Sequence, residues 1–388
     1  MKSNLPELIT KNIEKVIGKG PHQLHEPFFK GNERKYLNKV IKSNFVSTSG
    51  EYVNKFEKKM ANFTKAKYAV AIVNGTQALQ VSLKVCGVKQ NDEVLVPALT
   101  FVGTVNAITY LGATPHFIDS KIDNFGVDCK KLENYLMKIV KKNRGKYINK
   151  KTGKIIRAIV PVHVFGHPCD IVGIKKIAKK YKLKVIEDAA EALGSFFKKK
   201  HLGTFGDLGC LSFNGNKIIT TGGGGMVITN NKYYAKKIKH LTTTAKLKHQ
   251  WEYNHDEIGY NFRLPNLNAA LGLAQLEKMH IFLKAKRHLF KLYNKKIKNI
   301  KGVSLFKEAK NTLSNYWLQA LVLDKNKSSF KNEIIKLNHK KLIFSRPVWK
   351  LISNLKPHKK WPKMNLSGAQ EIYKRTINIP SGQNLILK

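Results

Sequence analysis

Short runs of β-branched and aliphatic residues alternate with stretches of helical periodicity through the first two-thirds of this chain. Residues 68–73, 93–97, 114–118, 155–161, 184–187, 209–213 and 226–229 read as strands, each rich in Val and Ile or bounded by turn residues. Between them, residues 76–86, 103–110 and 171–181 repeat their apolar positions at helical spacing. Strand and helix in alternation predict an α/β domain with a largely parallel sheet. In such domains ligands sit at the carboxyl ends of the strands.

The pattern changes twice. A lysine-rich interruption at 138–154 contains Tyr147-Ile148-Asn149-Lys150-Lys151-Thr152-Gly153, which predicts a β-hairpin turning at 149–153 and decorating the large domain. After residue 245 the pattern turns helical from 267 to 298. Short strands and a helix at 367–375 follow. The expected organisation is a large α/β domain over 1–245, with the inserted hairpin at about 138–156, and a small α+β domain over 246–388. No internal repeat is present.

Charge changes the picture less than its size suggests. The chain carries 71 Lys+Arg against 25 Asp+Glu, a formal net charge of +46. That balance raises nucleic-acid binding, but only seven of the basic residues are arginine, and the lysines run from Lys2 to Lys388 without forming a basic tail. Base and phosphate readout favours the planar arginine fork, whereas lysine is cheaply scattered over solvated faces. The surplus is read as compositional drift that steers acidic ligands, with no specific nucleic-acid partner. Four cysteines lie far apart with no C-x-x-C pair, so no zinc site or disulfide framework is expected, and a reducing cytoplasm fits. No signal-peptide core opens the sequence. The apolar stretch at 94–113 is broken by Pro97, Gly103, Asn106 and several threonines, which favours strand, turn and helix over a membrane span.

Candidate chemistry sits at the strand ends. Asn74-Gly75-Thr76 follows the first strand and opens a helix, where free N–H groups and a close backbone suit a phosphate; it is equally an ordinary turn and cap. Phe101, after the second strand, can stack on a flat ring or fill core. Glu187-Asp188-Ala189-Ala190-Glu191 ends a buried strand, and carboxylates there need partners. Asp188 can keep a heteroaromatic nitrogen protonated, or cap a helix. Lys217 lies between Ser212-Phe213-Asn214-Gly215-Asn216 and four glycines, 222–225, where a desolvated lysine can form a Schiff base with an aldehyde. His163 and His167 lack a third ligand nearby, so structural or substrate-lining roles are favoured over metal. Gly259-Tyr260-Asn261-Phe262-Arg263 can contact phosphate or sugar, or cap the following helix.

Taken in order, these segments supply a phosphate anchor, a ring stacker, a partner for the ring nitrogen and an imine lysine. Together those are the needs of pyridoxal phosphate. The sequence resembles the DegT/StrS family of nucleotide-sugar aminotransferases, fold-type I pyridoxal phosphate enzymes, most specifically through residues 187–191, 212–226 and 259–265. The segment 147–168 is most similar to the LegC-like branch. The resemblance implies a large domain with a mostly parallel, mixed seven-stranded sheet flanked by helices. It makes Lys217 the imine lysine and proton shuttle, Asp188 the partner of the pyridine nitrogen and Phe101 the ring stacker. Gly75, Thr76 and Ser212 would hold the phosphate, with Asn261 reaching it across a homodimer interface. Glu191 would lie beside the ring hydroxyl. Ser47, His163, Arg263 and Arg346 would contact substrate. Gly223 stands where the family usually has Glu. Relatives that remove a sugar hydroxyl replace the lysine, so Lys217 implies transamination from glutamate to a UDP- or GDP-linked 4-keto-6-deoxy hexose, an N-acetylated one being favoured. A catalytically silent cofactor-binding regulator is the competing expectation.

Overall fold

The computed structural model describes residues 5–387. Its centre is a seven-stranded sheet built from β1 (Tyr68–Ile72), β2 (Glu93–Pro97), β3 (Thr114–Ile118), β4 (Ile156–Ile159), β5 (Lys184–Asp188), β6 (Leu208–Ser212) and β7 (Gly225–Thr229). The spatial order is β1-β7-β6-β5-β4-β2-β3. β7 is antiparallel to both neighbours and the remaining pairs are parallel. The seven strands lie where the sequence pattern places them, to within a few residues at each end. Helices fill both faces, including Gly75–Val85, Val102–Thr109 and Ile171–Tyr181. This is the mixed, mostly parallel sheet of a fold-type I enzyme.

The 138–156 insertion is a meander with one more turn than the sequence suggests. Val140–Asn143 pairs with Lys146–Asn149 around Arg144 and Gly145, both at positive φ, as a two-residue hairpin turn requires. The expected turn at 149–153 follows, closed by Asn149 and Gly153 backbone bonds, with Ile148 bridging Ile155. Asn149 donates its side-chain amide to Glu93 at 3.0 Å, pinning the insertion to the start of β2.

The division of the chain is not a single cut at 245. A second apolar core gathers Leu289, Tyr293 and Ile297 of the helix Met279–Ile297, together with Leu321, Leu323, Ile377 and Ile379. The first described helix, Leu5–Ile17, joins it through Leu5, Ile9 and Ile13, which recur at helical spacing and mesh with 289, 293 and 297. The helix Asn266–Glu277 instead packs on Glu33–Lys42 and Glu51–Thr64 of the large unit. The single helix expected over 267–298 is therefore two, parted at Lys278 because its halves serve different cores. Strand Gln319–Leu323 of a four-stranded antiparallel sheet is buried on both faces. Ala320 and Val322 point to the main core, Leu321 and Leu323 to the second.

One carboxylate links the two units. Asp119, just past β3, accepts the N–H groups of Gly368 (3.0 Å) and Ala369 (2.8 Å) at the start of the helix Ser367–Arg375, and also Lys131 Nζ at 2.8 Å. It caps a helix 249 residues away. Asp119→Ala should cost about 1–3 kcal/mol, read as a lower denaturation midpoint with the site chemistry intact.

Candidate active site

The reversed strand explains where the site lies. β1, β2, β5 and β6 end on one side of the sheet, and β7, running the other way, begins there. Gly225 is thereby paired with Ile72 on one side and Ser212 on the other. A Cβ on Gly225 would stand 2.4 Å from the backbone carbon of Asn74, so only glycine fits. On Gly223 a Cβ would meet nothing within 4 Å, and nothing in the structure requires glycine there. Asn74 turns the chain into its helix, its side chain accepting the Gln77 N–H at 2.9 Å. The N–H groups of Gly75 and Thr76 have no protein acceptor among the described residues, and Ser212 stands beside them.

These residues line a cavity of about 380 Å³. Asp188 reaches it from the end of β5. One carboxylate oxygen accepts the Thr104 hydroxyl at 2.7 Å and the other the Ala190 N–H at 3.1 Å. No cation lies within ion-pair distance of it among the described residues, and burial pushes its carboxyl above the usual range. Phe101, ahead of the helix Val102–Thr109, is 56% exposed at the cavity wall, which removes the core-filling reading.

Lys217 projects from a loop closed by backbone bonds from Phe213 to Gly224 and from Thr221 to Phe213. Its side chain is 13% exposed, with Nζ 3.3 Å from Glu191 Oε1 and 4.0 Å from the centre of the Trp317 ring. The other Glu191 oxygen accepts the N–H of Phe165 at 2.8 Å. Burial drives the Glu191 carboxyl up to about 7, against the opposing pull of Lys217.

The remaining expected site residues lie elsewhere. His163 is fully buried behind Asp188. Its Nε2 is 3.0 Å from Glu187 and its Nδ1 accepts the Cys169 N–H, so its ring is committed to the core and does not line the cavity. Burial of Glu187 opposes ionisation, but His163 and the N–H groups of Gly203 and Gly206 outweigh it and hold its carboxyl below the usual range. His167 packs between Phe306 and Tyr316, pushed down to about 3 by burial. The two histidines form no metal site together. Ser47 is exposed and contributes only its carbonyl, to the Asn266 N–H. Arg346 is exposed on the short strand Arg346–Pro347, although nearby Trp349 lines the cavity. Arg263 faces a second cavity of about 560 Å³ with Phe45, Gly50 and Asn266. Asn261 is exposed, bridges Thr243 and lies outside its own chain's cavity. Sequence reasoning missed Thr104 and Trp317. Thr104 sits four residues past Thr100, one turn further on, and was open to discovery; Trp317 arrives from the segment leading into the strand Gln319–Leu323, with no local signal.

The cavity suits pyridoxal phosphate. A buried, cation-free carboxylate, a helix start with two free N–H groups, an open aromatic face and a sheltered lysine correspond to its ring nitrogen, phosphate, ring and aldehyde. The raised Glu191 carboxyl also has a consequence for stability. In the folded protein Glu191 holds its proton up to about pH 7, whereas an unfolded Glu releases it near 4.3. Between those values the native state binds the extra proton, so this group's contribution to stability falls as pH rises, by on the order of 2–3 kcal/mol. His167 and the likewise depressed His201 slope the opposite way. The difference between wild type and Glu191→Gln isolates the term. Relative to wild type, the variant should gain denaturation midpoint on going from pH 5 to pH 8.

Comparison with known proteins identifies the family. Residues 28–388 match the DegT/DnrJ/EryC1/StrS aminotransferase family. The chain is 38% identical over 365 residues to a GDP-perosamine synthase of Escherichia coli O157:H7, covering 93% of each. It is 32% identical over 354 residues to a UDP-4-amino-4,6-dideoxy-N-acetyl-β-L-altrosamine transaminase of Campylobacter jejuni, covering 91% of this chain and 90% of that one. Among solved structures, Helicobacter pylori PseC, an aminotransferase of pseudaminic acid biosynthesis, superposes with a TM-score of 0.85 at 25% identity over 94% of both chains. No helix among the described residues is long and apolar enough to cross a membrane. The chain belongs to the DegT/DnrJ/EryC1/StrS aminotransferase family and is a pyridoxal phosphate-dependent aminotransferase.

Proposed function

We propose that the protein transfers the amino group of glutamate to C4 of a nucleotide-linked 4-keto-6-deoxy hexose. The observation that carries this reading is the pairing, in one cavity, of a sheltered lysine with a buried carboxylate that lacks a cation. Pyridoxal phosphate, when bound, supplies an aldehyde that takes and releases an amino group and a ring that absorbs the electron pair. Asp188 holds the ring nitrogen in its charged form, because its carboxyl has no other cation to pair with. The Gly75 and Thr76 N–H groups and the Ser212 hydroxyl take the phosphate at a helix start. Phe101 covers one face of the ring. Lys217 carries protons at Nζ, and Glu191 at 3.3 Å exchanges a proton with it without leaving the cavity.

The second subunit enters through Asn261. That residue is exposed and outside its own cavity, in the same excursion of chain as Trp251 (70% exposed) and Ile258 (84% exposed). Apolar residues left so open fit a surface covered by another copy. A homodimer placing Asn261 against the partner's phosphate accounts for both observations.

Two forms of the sugar follow from two observations. The similarity of segment 147–168 to the LegC-like branch favours an N-acetylated hexose. The 38% identity to a GDP-perosamine synthase favours a GDP-linked one. Incubation with glutamate and a panel of UDP- and GDP-linked 4-keto-6-deoxy hexoses, read by product mass, separates them; no product from any member overturns the reading.

Lys217→Ala should lower turnover by roughly 10³-fold or more, and borohydride should no longer fix cofactor mass on the 217 peptide. Retained transamination in that variant is the contrary outcome. The glycines should part company. Gly225→Ala forces Asn74 and the helix start away from the phosphate, so cofactor affinity drops well over tenfold. Gly223→Ala should leave affinity within about twofold, the ordinary range for an open position.

A further inference from the structure

Trp317 is 4% exposed and fixed by three hydrogen bonds. Its indole N–H donates to the carbonyl of Asn216, the residue before Lys217, at 2.8 Å. Its backbone N–H donates to Asn315 Oδ1 at 2.8 Å, and Asn315 in turn donates its side-chain amide to the carbonyls of Glu191 and Leu193. Its carbonyl accepts Lys286 Nζ at 2.7 Å. Lys286 is fully buried with no carboxylate in reach among the described residues, burial pushes its amine well below the usual lysine range, and it also donates to the Ser381 carbonyl. A buried amine without a counter-ion is costly, and here it holds two backbone carbonyls, one of them that of Trp317. The ring so fixed faces Lys217 Nζ at 4.0 Å, and Glu191 Oε1 lies 3.3 Å from the same nitrogen.

We propose that Trp317 is the positioning residue for Lys217: with Glu191 it holds the free amine at one fixed place in the cavity whenever the lysine is not bonded to the cofactor. The inference rests on the reading of Lys217 as the imine lysine. The negative face of an indole attracts an ammonium, most strongly where water is excluded. A lysine side chain otherwise has several rotamers of similar energy, and a proton shuttle must return to one of them. The Asn216 bond sets the loop, the ring sets the amine, and the Asn315 bonds tie both to the turn that carries Glu191. Asn315 and Trp317, in the segment leading into the strand Gln319–Leu323, thus connect the lysine and its carboxylate.

The test uses the full-length protein without cofactor. Reductive methylation with formaldehyde and dimethylamine-borane is followed by mass spectrometry of the peptide containing residue 217, with exposed lysines as internal reference. Only a free amine adds to formaldehyde, so an amine held between a ring face and a carboxylate reacts slowly. Trp317→Leu and Trp317→Met should methylate Lys217 about three- to tenfold faster than wild type, and Trp317→Phe, which keeps a ring face, within about twofold. Equal rates in wild type and the Leu and Met variants overturn the proposal, as does a Phe variant as fast as Leu. The Met variant fills the space flexibly, so it answers where Leu fails to fold. In the loaded enzyme the Leu variant should lose kcat with KM for the sugar nucleotide within about twofold; a loss confined to KM also overturns it. Should borohydride fix no cofactor on wild-type Lys217, the aminotransferase reading fails while the methylation contrast stands on its own.

Discussion

The direction of one strand governs this site. Were β7 parallel like the rest, its N-terminal end and the glycine run before it would lie on the opposite side of the sheet from Asn74, Asp188 and Ser212. Running backwards between β1 and β6, it delivers Gly225 into the gap between two strand ends. The Lys217 loop then has no choice of place, because Ser212 and Gly225, its two anchors, are adjacent partners in the sheet. The closeness is enforced by main chain, with Asn74 where a side chain at 225 would need to be. Sheet order thereby brings the helix start at Gly75 and the Lys217 loop together before any side chain contributes.

The second constraint is the burial of charge. Asp188, Glu191, Lys217 and Lys286 are all withdrawn from water around one cavity or directly behind it. Each is satisfied differently. Asp188 has neutral donors only, Glu191 a backbone N–H and the lysine, and Lys286 two carbonyls. Glu187 is the instructive contrast, one residue before Asp188 on the same strand. Three backbone N–H groups and His163 surround it, so it stays ionised as part of the core. Alternation along a strand sends neighbouring carboxylates to opposite faces. One becomes structure, and its neighbour is left at the cavity with neutral donors only.

That contrast marks what could be read from sequence. The strands were legible because each is short, β-branched and framed by turn residues, and the loops after them carried local chemistry: Asn74-Gly75-Thr76, Phe101, Asp188, Lys217. His163 was misplaced as a substrate contact because spacing alone does not say which face of the chain a ring takes; only the position of Glu187 does. The hairpin at 140–149 hid in a lysine-rich stretch with no apolar alternation, its turn signalled by Arg144-Gly145 alone. The N-terminal helix gave an apolar stripe without a hint that its partner lay nearly three hundred residues on. Trp317 was invisible for the same reason. A tryptophan in a sequence such as Asn315-Tyr316-Trp317-Leu318 reads as core, and its role depends on contacts with residues 191, 216 and 286.

The second unit is therefore more than an appendage to the cofactor-binding sheet. Strand Gln319–Leu323 has both faces buried in different cores, so it cannot shift relative to either without opening one of them. The segment leading into it, 314–317, inherits that rigidity and carries it to Lys217 through Trp317. Asp119 fastens the other end of the same unit to the edge of the large sheet. A domain held at both ends is poorly suited to swinging shut over a substrate. The geometry favours a site whose lysine and carboxylates are already placed, with the wall left open at Phe101 and Trp349. Preorganisation of that kind suits the proposed transamination, in which Lys217 would meet two different substrates in turn and return to the same point for both.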